Sequence, residues 1–445
     1  MLKTFSIGGV HPQENKLSAN QAIRTAELPK QVTIMLSQHI GAPAKPLVKR
    51  GDEVKVGTLV AEPGGFVSAA IHSPVSGKVA KIADVVDASG YPKKAIIITV
   101  EGDEWEEGID RSTDLVKECN LSSEEIVDKV AKAGVVGLGG ACFPTQIKLT
   151  PPPAFKAECV IINAVECEPY LTSDHQLMLE HADEIVVGVA LLMKAVKVNK
   201  AFIGIENNKP DAIEVMTKAC ATYAGIEVVP LQVKYPQGGE KQLIDAITKR
   251  QVSSGALPIS TGAVVQNVGT AFAVYEAVQK NKPLVERVLT VTGKSLEKPS
   301  NFRARFGTPI QELIDACGGL PEDTGKVISG GPMMGKAVVD TAIPTVKGTS
   351  GILIMNKKEA KRNKVTTCIR CAKCVGVCPM GLEPYLLSAL AEHKEFERME
   401  TERIMDCIEC GSCQFTCPTN QPLLDYCRLG KAEVGGMIRA RKAKK

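Results

Sequence analysis

The sequence has almost no net charge: 54 Lys and Arg against 50 Asp and Glu leave a formal +4 over 445 residues. Binding to a nucleic-acid backbone needs a strongly basic face, so no nucleic-acid partner is expected. Long apolar runs are also missing. The best, residues 185–193, stops at Lys194, well short of the ~18 residues a membrane span requires. The opening MLKTFSIGG is too short and polar for a secretion signal. Six histidines show no metal-ligand spacing, and His175 and His181 read as ordinary core or surface residues. No Ser/His/Asp or Cys/His set marks a nucleophile. Of fifteen cysteines, the seven outside one C-terminal stretch follow no paired spacing, and thiols that must stay reduced imply the cytoplasm.

That stretch, 368–418, holds two copies of one pattern: Cys368, Cys371, Cys374, Cys378-Pro379, then Cys407, Cys410, Cys413, Cys417-Pro418. CxxCxxCxxxCP is the spacing of a bacterial two-cluster ferredoxin, in which three closely spaced thiolates hold one [4Fe-4S] cube and the fourth cysteine serves the other. The expected ligand sets therefore cross: Cys368, Cys371, Cys374 and Cys417 for one cluster, Cys407, Cys410, Cys413 and Cys378 for the other. Zinc knuckles pair two short CxxC units and fit the repeat poorly.

Length predicts three or four domains, and 44% hydrophobic with 23% charged residues describes an ordinary globular chain with room for buried cores. Residues 1–100 read as all-β, short β-branched runs punctuated by Gly and Pro. Residues 101–118, with six carboxylates from Glu101 to Asp110, read as a solvated linker. Ser122 with Glu125 predicts a capped helix that Gly134 stops. From there strand and helix alternate through 119–285: strands at 160–163, 201–205, 226–233 and 263–266, one helix spanning 174 to about 198, and others after Pro210 and Gly239. This pattern predicts a mostly parallel sheet with helices on both faces, whose ligand sits beyond the strands' carboxyl ends.

Four motifs fall at such ends. Gly137-Leu-Gly139-Gly140-Ala-Cys142-Phe143-Pro-Thr-Gln-Ile-Lys148 offers bare backbone to a phosphate or flat ring with a lysine in reach. Asn163-Ala-Val-Glu166-Cys-Glu168-Pro, Tyr235-Pro-Gln-Gly238-Gly239-Glu240 and Asn267-Val-Gly-Thr270 follow. Each alone is compatible with a turn.

Together, and in this order, the four resemble the flavin domain of the NADH-oxidising subunit of respiratory complex I. In front of them, 47–79 resembles a lipoyl/biotinyl-type barrel-sandwich, although its turn, Pro63-Gly-Gly-Phe-Val-Ser-Ala-Ala, lacks the acceptor lysine; a docking or scaffold module without a covalent group is expected. Behind them, 286–352 resembles a β-grasp (SLBB-like) module, whose glycines read as tight turns, and 356–445 is the α-helical two-cluster ferredoxin-type domain with a basic tail. The whole is similar to the RnfC family of Rnf electron-transport complexes. That resemblance implies noncovalent FMN held by Gly137, Gly139, Gly140, Lys148, Asn163, Glu166, Gly238 and Asn267, with Tyr235 and Thr270 in the same motifs, and NAD(H) stacked beside Phe143 near Glu168 and Glu240. Leu138, Cys142 and Val165 depart from the complex I pattern, and Cys142 narrows the loop.

The resemblance further implies a peripheral subunit on the cytoplasmic face of the membrane, bound to other Rnf-type subunits including a ferredoxin-like iron–sulfur one. A flavin would convert between the hydride of a nicotinamide and the single electrons of a cluster. Two other readings fit the same residues: a related cobalamin reductase, and a non-enzymatic electron-transfer adaptor with an empty nucleotide site.

Overall fold

The computed structural model describes residues 2–443. Two of the tail's lysines, Lys444 and Lys445, lie outside the described residues. No described helix is long and apolar enough to cross a membrane.

Two small antiparallel sheets form the first unit. Gln31–Met35, Pro92–Gly102, Ser76–Val86 and Glu53–Val54 make one, Lys45–Pro46, Leu59–Glu62 and Ile71–His72 the other. Alternate residues of the strands point inward, as period-2 geometry requires, and bury Val32, Ile34, Val60, Val79, Ile96 and Ile98 between the sheets. The acidic stretch after it is tied down rather than freely solvated. Trp105 lies under the guanidinium groups of Arg111 and Arg305 at 5.0 and 4.7 Å, and Asp110 meets Lys280 at 2.6 Å.

The helix Ser123–Lys132 begins at the predicted capping box, Ser122 accepting from the Glu125 amide and Glu125 from the Ser122 amide, and ends before Gly134 at φ +65. The central sheet is four-stranded and wholly parallel, in the order Ile226–Leu231, Ala201–Glu206, Cys159–Asn163, Ala263–Asn267. Its strands read as near-continuous apolar runs because both faces are covered: Val160, Ile162 and Ile203 face one helical layer, Ile161 and Val265 the other. The single helix expected from residue 174 is two, Ser173–Glu180 and Ala182–Ala195, broken at His181. The His181 ring is held by Glu184 at 3.1 Å and Arg303 at 2.8 Å, so tertiary contacts fix the break that helical periodicity could not reveal.

Glu286–Thr292, Ser300–Arg305, Gly351–Asn356, Thr324–Ser329 and Lys336–Ala337 build a mixed sheet, completed at its edge by Ile23–Thr25 from the N-terminal region. The helices Pro384–Glu392, Phe396–Thr401 and Leu423–Ala443 close the last domain over Leu387, Leu390, Met399 and Val434.

One segment lies outside the two small sheets. Near its start the chain threads between the parallel sheet and the cysteine-rich domain: the Gly9 amide donates to the Val377 carbonyl at 2.9 Å and Val10 pairs with Tyr235. Gly8, at φ +70, lies so close to Cys378 that a Cβ would stand 2.6 Å from its carbonyl carbon, a position only glycine can fill.

Candidate flavin and iron–sulfur sites

The glycine loop closes on itself through the Gly137 amide and the Phe143 carbonyl at 2.9 Å. It is fastened to the helix Val268–Gln279 by the Leu138 amide donating to Thr270 Oγ1 at 2.9 Å. A Cβ on Gly139 would stand 3.0 Å from Asn267, whereas one on Gly140 would meet nothing within 4 Å. The loop thus lies flat against Asn267 and opens outward at Gly140, a shape that accepts a flat ring or a phosphate. Asn267 caps its helix, Oδ1 accepting from Gly269, and its amide donates to Asp174 Oδ2 at 2.8 Å. Asn163 Nδ2 donates to the Gly238 carbonyl at 2.8 Å, drawing two strand ends together. Phe143 is half-buried beside the loop, and the Thr145 hydroxyl, fully buried there, has no hydrogen-bond partner. Open backbone, an orphaned hydroxyl and a lysine at the carboxyl ends of parallel strands fit FMN.

Lys148 and Glu240, expected to serve different ligands, face each other at 2.6 Å, and Lys148 also donates to the Val265 carbonyl at 3.1 Å. Glu166, expected among the cofactor residues, turns its carboxylate to the helix Ser173–Glu180, accepting from the Asp174 amide at 2.8 Å, the His175 amide at 3.2 Å and the Ser173 hydroxyl at 3.3 Å. A carboxylate at a helix N-terminus is stabilised by those free amides, so Glu166 shapes the loop. Glu168 is deeper still. It accepts from the Met333 and Met334 amides at 3.1 and 2.8 Å, and burial raises its carboxyl to about 7, those amides pulling the other way.

Three buried groups carried no recognisable motif. Lys16 donates to the carbonyls of Glu166, Glu168 and Leu171 at 2.9, 2.9 and 2.7 Å, pinning the acidic loop. Asp174, beside Asn267, is raised to about 7 by burial and by Glu166. Lys347 donates to the Ala70 and Gly134 carbonyls at 2.8 and 2.7 Å, and burial lowers its amine to about 7. Cys142, at φ +52, is wedged against Gly348. A lone polar residue far away in sequence leaves no pattern to read.

Four of the eight motif cysteines share one cavity, and the other four, the outer group, lie apart from it. Cys378, Cys407, Cys410 and Cys413 line one closed apolar cavity together with Leu387 and Leu424; this is the inner group. A fifth thiol, Cys427, lines the same cavity and lay outside the predicted eight. In the outer group Cys374 neighbours Cys417, and Cys368 and Cys371 stand exposed at the surface. Both motifs repeat the same backbone: Arg370 and Ala372 in one, Glu409 and Gly411 in the other, are left-handed, at φ +55, +58, +57 and +77. These turns wrap the chain around a centre. Amides of Leu382, Glu409 and Gln421 point at the sulfurs of Cys378, Cys407 and Cys417, each at 3.4 Å. Thiols gathered in an apolar cavity and served by backbone N–H groups, as in the inner group, fit an iron–sulfur cube. Among the described residues no three Cys, His, Asp or Glu side chains converge to hold a single ion.

The inner group abuts the flavin loops. Tyr235 donates its hydroxyl to the Cys410 carbonyl at 2.9 Å, and Gln242 donates to the Pro379 carbonyl at 3.1 Å.

The family descriptions that match the chain follow this architecture: an RnfC barrel sandwich hybrid domain over residues 3–103, a Nuo51 FMN-binding domain over 130–276, an SLBB domain over 288–337 and a 4Fe-4S dicluster domain over 367–421. The corresponding subunit of the proton-translocating ferredoxin:NAD(+) oxidoreductase complex of Clostridium ljungdahlii is 47% identical, the match covering 97% of this chain and 94% of the relative. The chain belongs to the RnfC family. Its counterpart in the Na(+)-translocating ferredoxin:NAD(+) oxidoreductase complex of Acetobacterium woodii is 46% identical over 96% of both chains. An RnfC relative from the ion-translocating oxidoreductase complex of Rhodobacter capsulatus is 42% identical over 97% of this chain and 84% of its own length. Two RnfC relatives named for different ions are almost equally similar, so the likeness does not select an ion.

Proposed function

We propose that this chain is the peripheral subunit of a membrane-bound, ion-translocating ferredoxin:NAD+ oxidoreductase, on its cytoplasmic face. It exchanges electron pairs with NAD(H) and single electrons with the rest of the complex. Bound FMN would supply the conversion, taking a hydride as a pair and handing electrons on singly to iron–sulfur clusters. The observation that carries the reading is the unbroken join between the two sites: the loop bearing Tyr235 and Gly238 is bonded on one side to Asn163 and on the other to Cys410.

In this reading Gly137, Gly139 and Gly140 admit the flavin, Asn267 and Thr270 fix the loop, and Lys148 neutralises an anionic group. Glu240 accepts from ribose hydroxyls of the nucleotide once Lys148 has turned to its own ligand, and Phe143 offers a face beside the ring. Glu168 holds a proton near neutral pH between the flavin loop and the inner cysteines. The cluster ligands are Cys368, Cys371, Cys374 and Cys417, and Cys378, Cys407, Cys410 and Cys413. Tyr235, Gly8 and Gln242 keep the second set pressed to the flavin domain and fix the separation.

An anaerobic titration of the purified chain with NADH, followed by visible absorption, tests this. Flavin bleaching should follow each addition. Bound iron and sulfide with no flavin and no NADH response would replace the reading by an adaptor. Changing Glu240 to Ala should weaken NADH binding by roughly tenfold, for about 1 kcal/mol per acceptor bond lost, whereas Lys148→Ala should lower flavin occupancy. Flavin loss in the Glu240 variant with unchanged NADH affinity would reverse the two roles.

A further inference from the structure

We infer that Cys427 is a fixed hydrogen-bond donor to the sulfur of Cys407 and, through it, raises the midpoint potential of the inner cluster. The inference rests on the cluster reading above and adds a residue that the ligand pattern does not contain.

Five thiols line the inner cavity, those of Cys378, Cys407, Cys410, Cys413 and Cys427, whereas a [4Fe-4S] cube takes four protein sulfurs. The backbone tells which one is extra. Cys378 and Cys407 receive the Leu382 and Glu409 amides at 3.4 Å, as a ligand sulfur does. Cys427 instead lies inside the helix Leu423–Ala443, where each amide is spent on a carbonyl one turn back, so no free N–H group can turn toward its sulfur. As a fifth thiolate it would be a buried charge beside four others with nothing to offset it. As a neutral thiol it keeps a proton to donate.

Its position is held from both sides. Leu424, Cys427 and Lys431 stand three and four residues apart and so share one face of the helix, which lies against the second motif. The Leu424 amide donates to Gln414 Oε1 at 3.1 Å. One turn beyond Cys427, Lys431 donates to the Cys407 carbonyl at 2.5 Å and pairs with Glu409 at 3.2 Å. Between these anchors Cys427 is only 2% exposed, and its thiol is in hydrogen-bond contact with that of Cys407. Leu382, Leu387 and Leu424 share the cavity and offer no side-chain acceptor, so the S–H group has sulfur to point at. A thiol is a weak donor, but enclosure among apolar side chains strengthens what it does. Hydrogen bonds to ligand sulfurs are among the influences that set a cluster's potential: they draw charge off the sulfur and favour the reduced state. The cluster that faces the flavin loops is thereby made the better electron acceptor.

The test is a redox titration by EPR on the full, anaerobically loaded chain and its variants. Cys427→Ala should keep its iron and lower the inner midpoint, shifting that cluster's one-electron equilibrium by roughly threefold to tenfold, tenfold being about 59 mV. The outer midpoint should stay where it was. Cys427→Ser keeps a donor in place and should restore most of the shift. In D2O the reduced inner cluster should show the coupling of an exchangeable deuteron that the Ala variant lacks. An inner midpoint unmoved in the Ala variant, or moved equally by Ala and Ser, overturns the donor role and leaves Cys427 as packing. Should the Ala variant lose inner iron to the space it opens, Cys427→Val fills that space without a donor and replaces it in the comparison. Inner iron lost from both apolar variants would make Cys427 a ligand and also overturns the proposal. An unmodified chain that binds no inner cluster fails before any substitution, and that failure strikes the cluster reading itself.

Discussion

The two cysteine motifs are the same sequence twice and the same backbone twice, yet they live in different surroundings. Each places left-handed residues two and four positions after its first cysteine, because that path brings three thiols and several amides toward one centre. Around the inner group the structure supplies a wall: the threaded N-terminal segment, the Tyr235 loop and the helix Glu240–Thr248. Around the outer group no such wall stands: Cys368 and Cys371 are exposed, beside a segment that carries Lys361, Lys364, Arg370 and Lys373. A repeated ligand pattern thus sets coordination chemistry, whereas what is packed against each copy sets its place in the electron path.

The strongest way to break this comparison is to exchange ligands between the copies. Cys378→Ala should destroy the inner centre although it lies in the first motif, and Cys417→Ala the outer one although it lies in the second. Iron analysis should then show about half the metal remaining in each variant, and the EPR signals of the reduced proteins should be complementary. Only the Cys417 variant should still pass electrons between flavin and its surviving cluster. Eight irons retained in either variant, with an unaltered spectrum, would show that the sets do not cross.

A smaller effect is expected where the wall itself is disturbed. Gly8→Val sets a branched side chain against the Cys378 backbone at φ +70, which should cost on the order of 1–3 kcal/mol and pry the inner group from the flavin domain. The N-terminal region should become more accessible to protease, and flavin-to-inner-cluster transfer should slow while flavin content holds. Tyr235→Phe deletes one bond to the Cys410 carbonyl, worth about 1 kcal/mol, and should do the same more weakly. Neither change should alter the outer EPR signal.

The smallest effect concerns protons. Glu168 titrates near 7 because it is buried; it is neutral below that pH and carries a negative charge above it. Raising the pH from 6 to 8 should therefore lower the potential of the inner cluster by tens of millivolts and leave the exposed outer one unmoved. Glu168→Gln should flatten the inner profile at the value seen in acid. A redox titration by EPR at several pH values reads both clusters at once, and equal slopes would mean that Glu168 does not distinguish them.

Much of the molecule was legible in the sequence where short-range rules apply. The capping box at Ser122 and Glu125, the alternation of apolar strands with helices, and the cysteine spacing each record a local geometric demand in adjacent residues. Legibility failed where the partner is distant. Nothing about Glu166 shows that its carboxylate caps a helix, and nothing about Lys16 that it grips three carbonyls some 150 residues on. The acidic stretch after the barrel-sandwich looked free because its cations, Lys280 and Arg305, come from another part of the chain.

By itself the sequence determined the ligand sets proposed for two clusters, the glycine-lined mouth and the order of its modules, because each is a matter of spacing along a chain of fixed geometry. Only the tertiary structure decided that Lys148 and Glu240 stand together, that the N-terminal segment is a spacer between two sites, and that one copy of a repeated motif faces the flavin loops while the other faces outward. Burial and long-range contact separate two stretches that local chemistry makes alike.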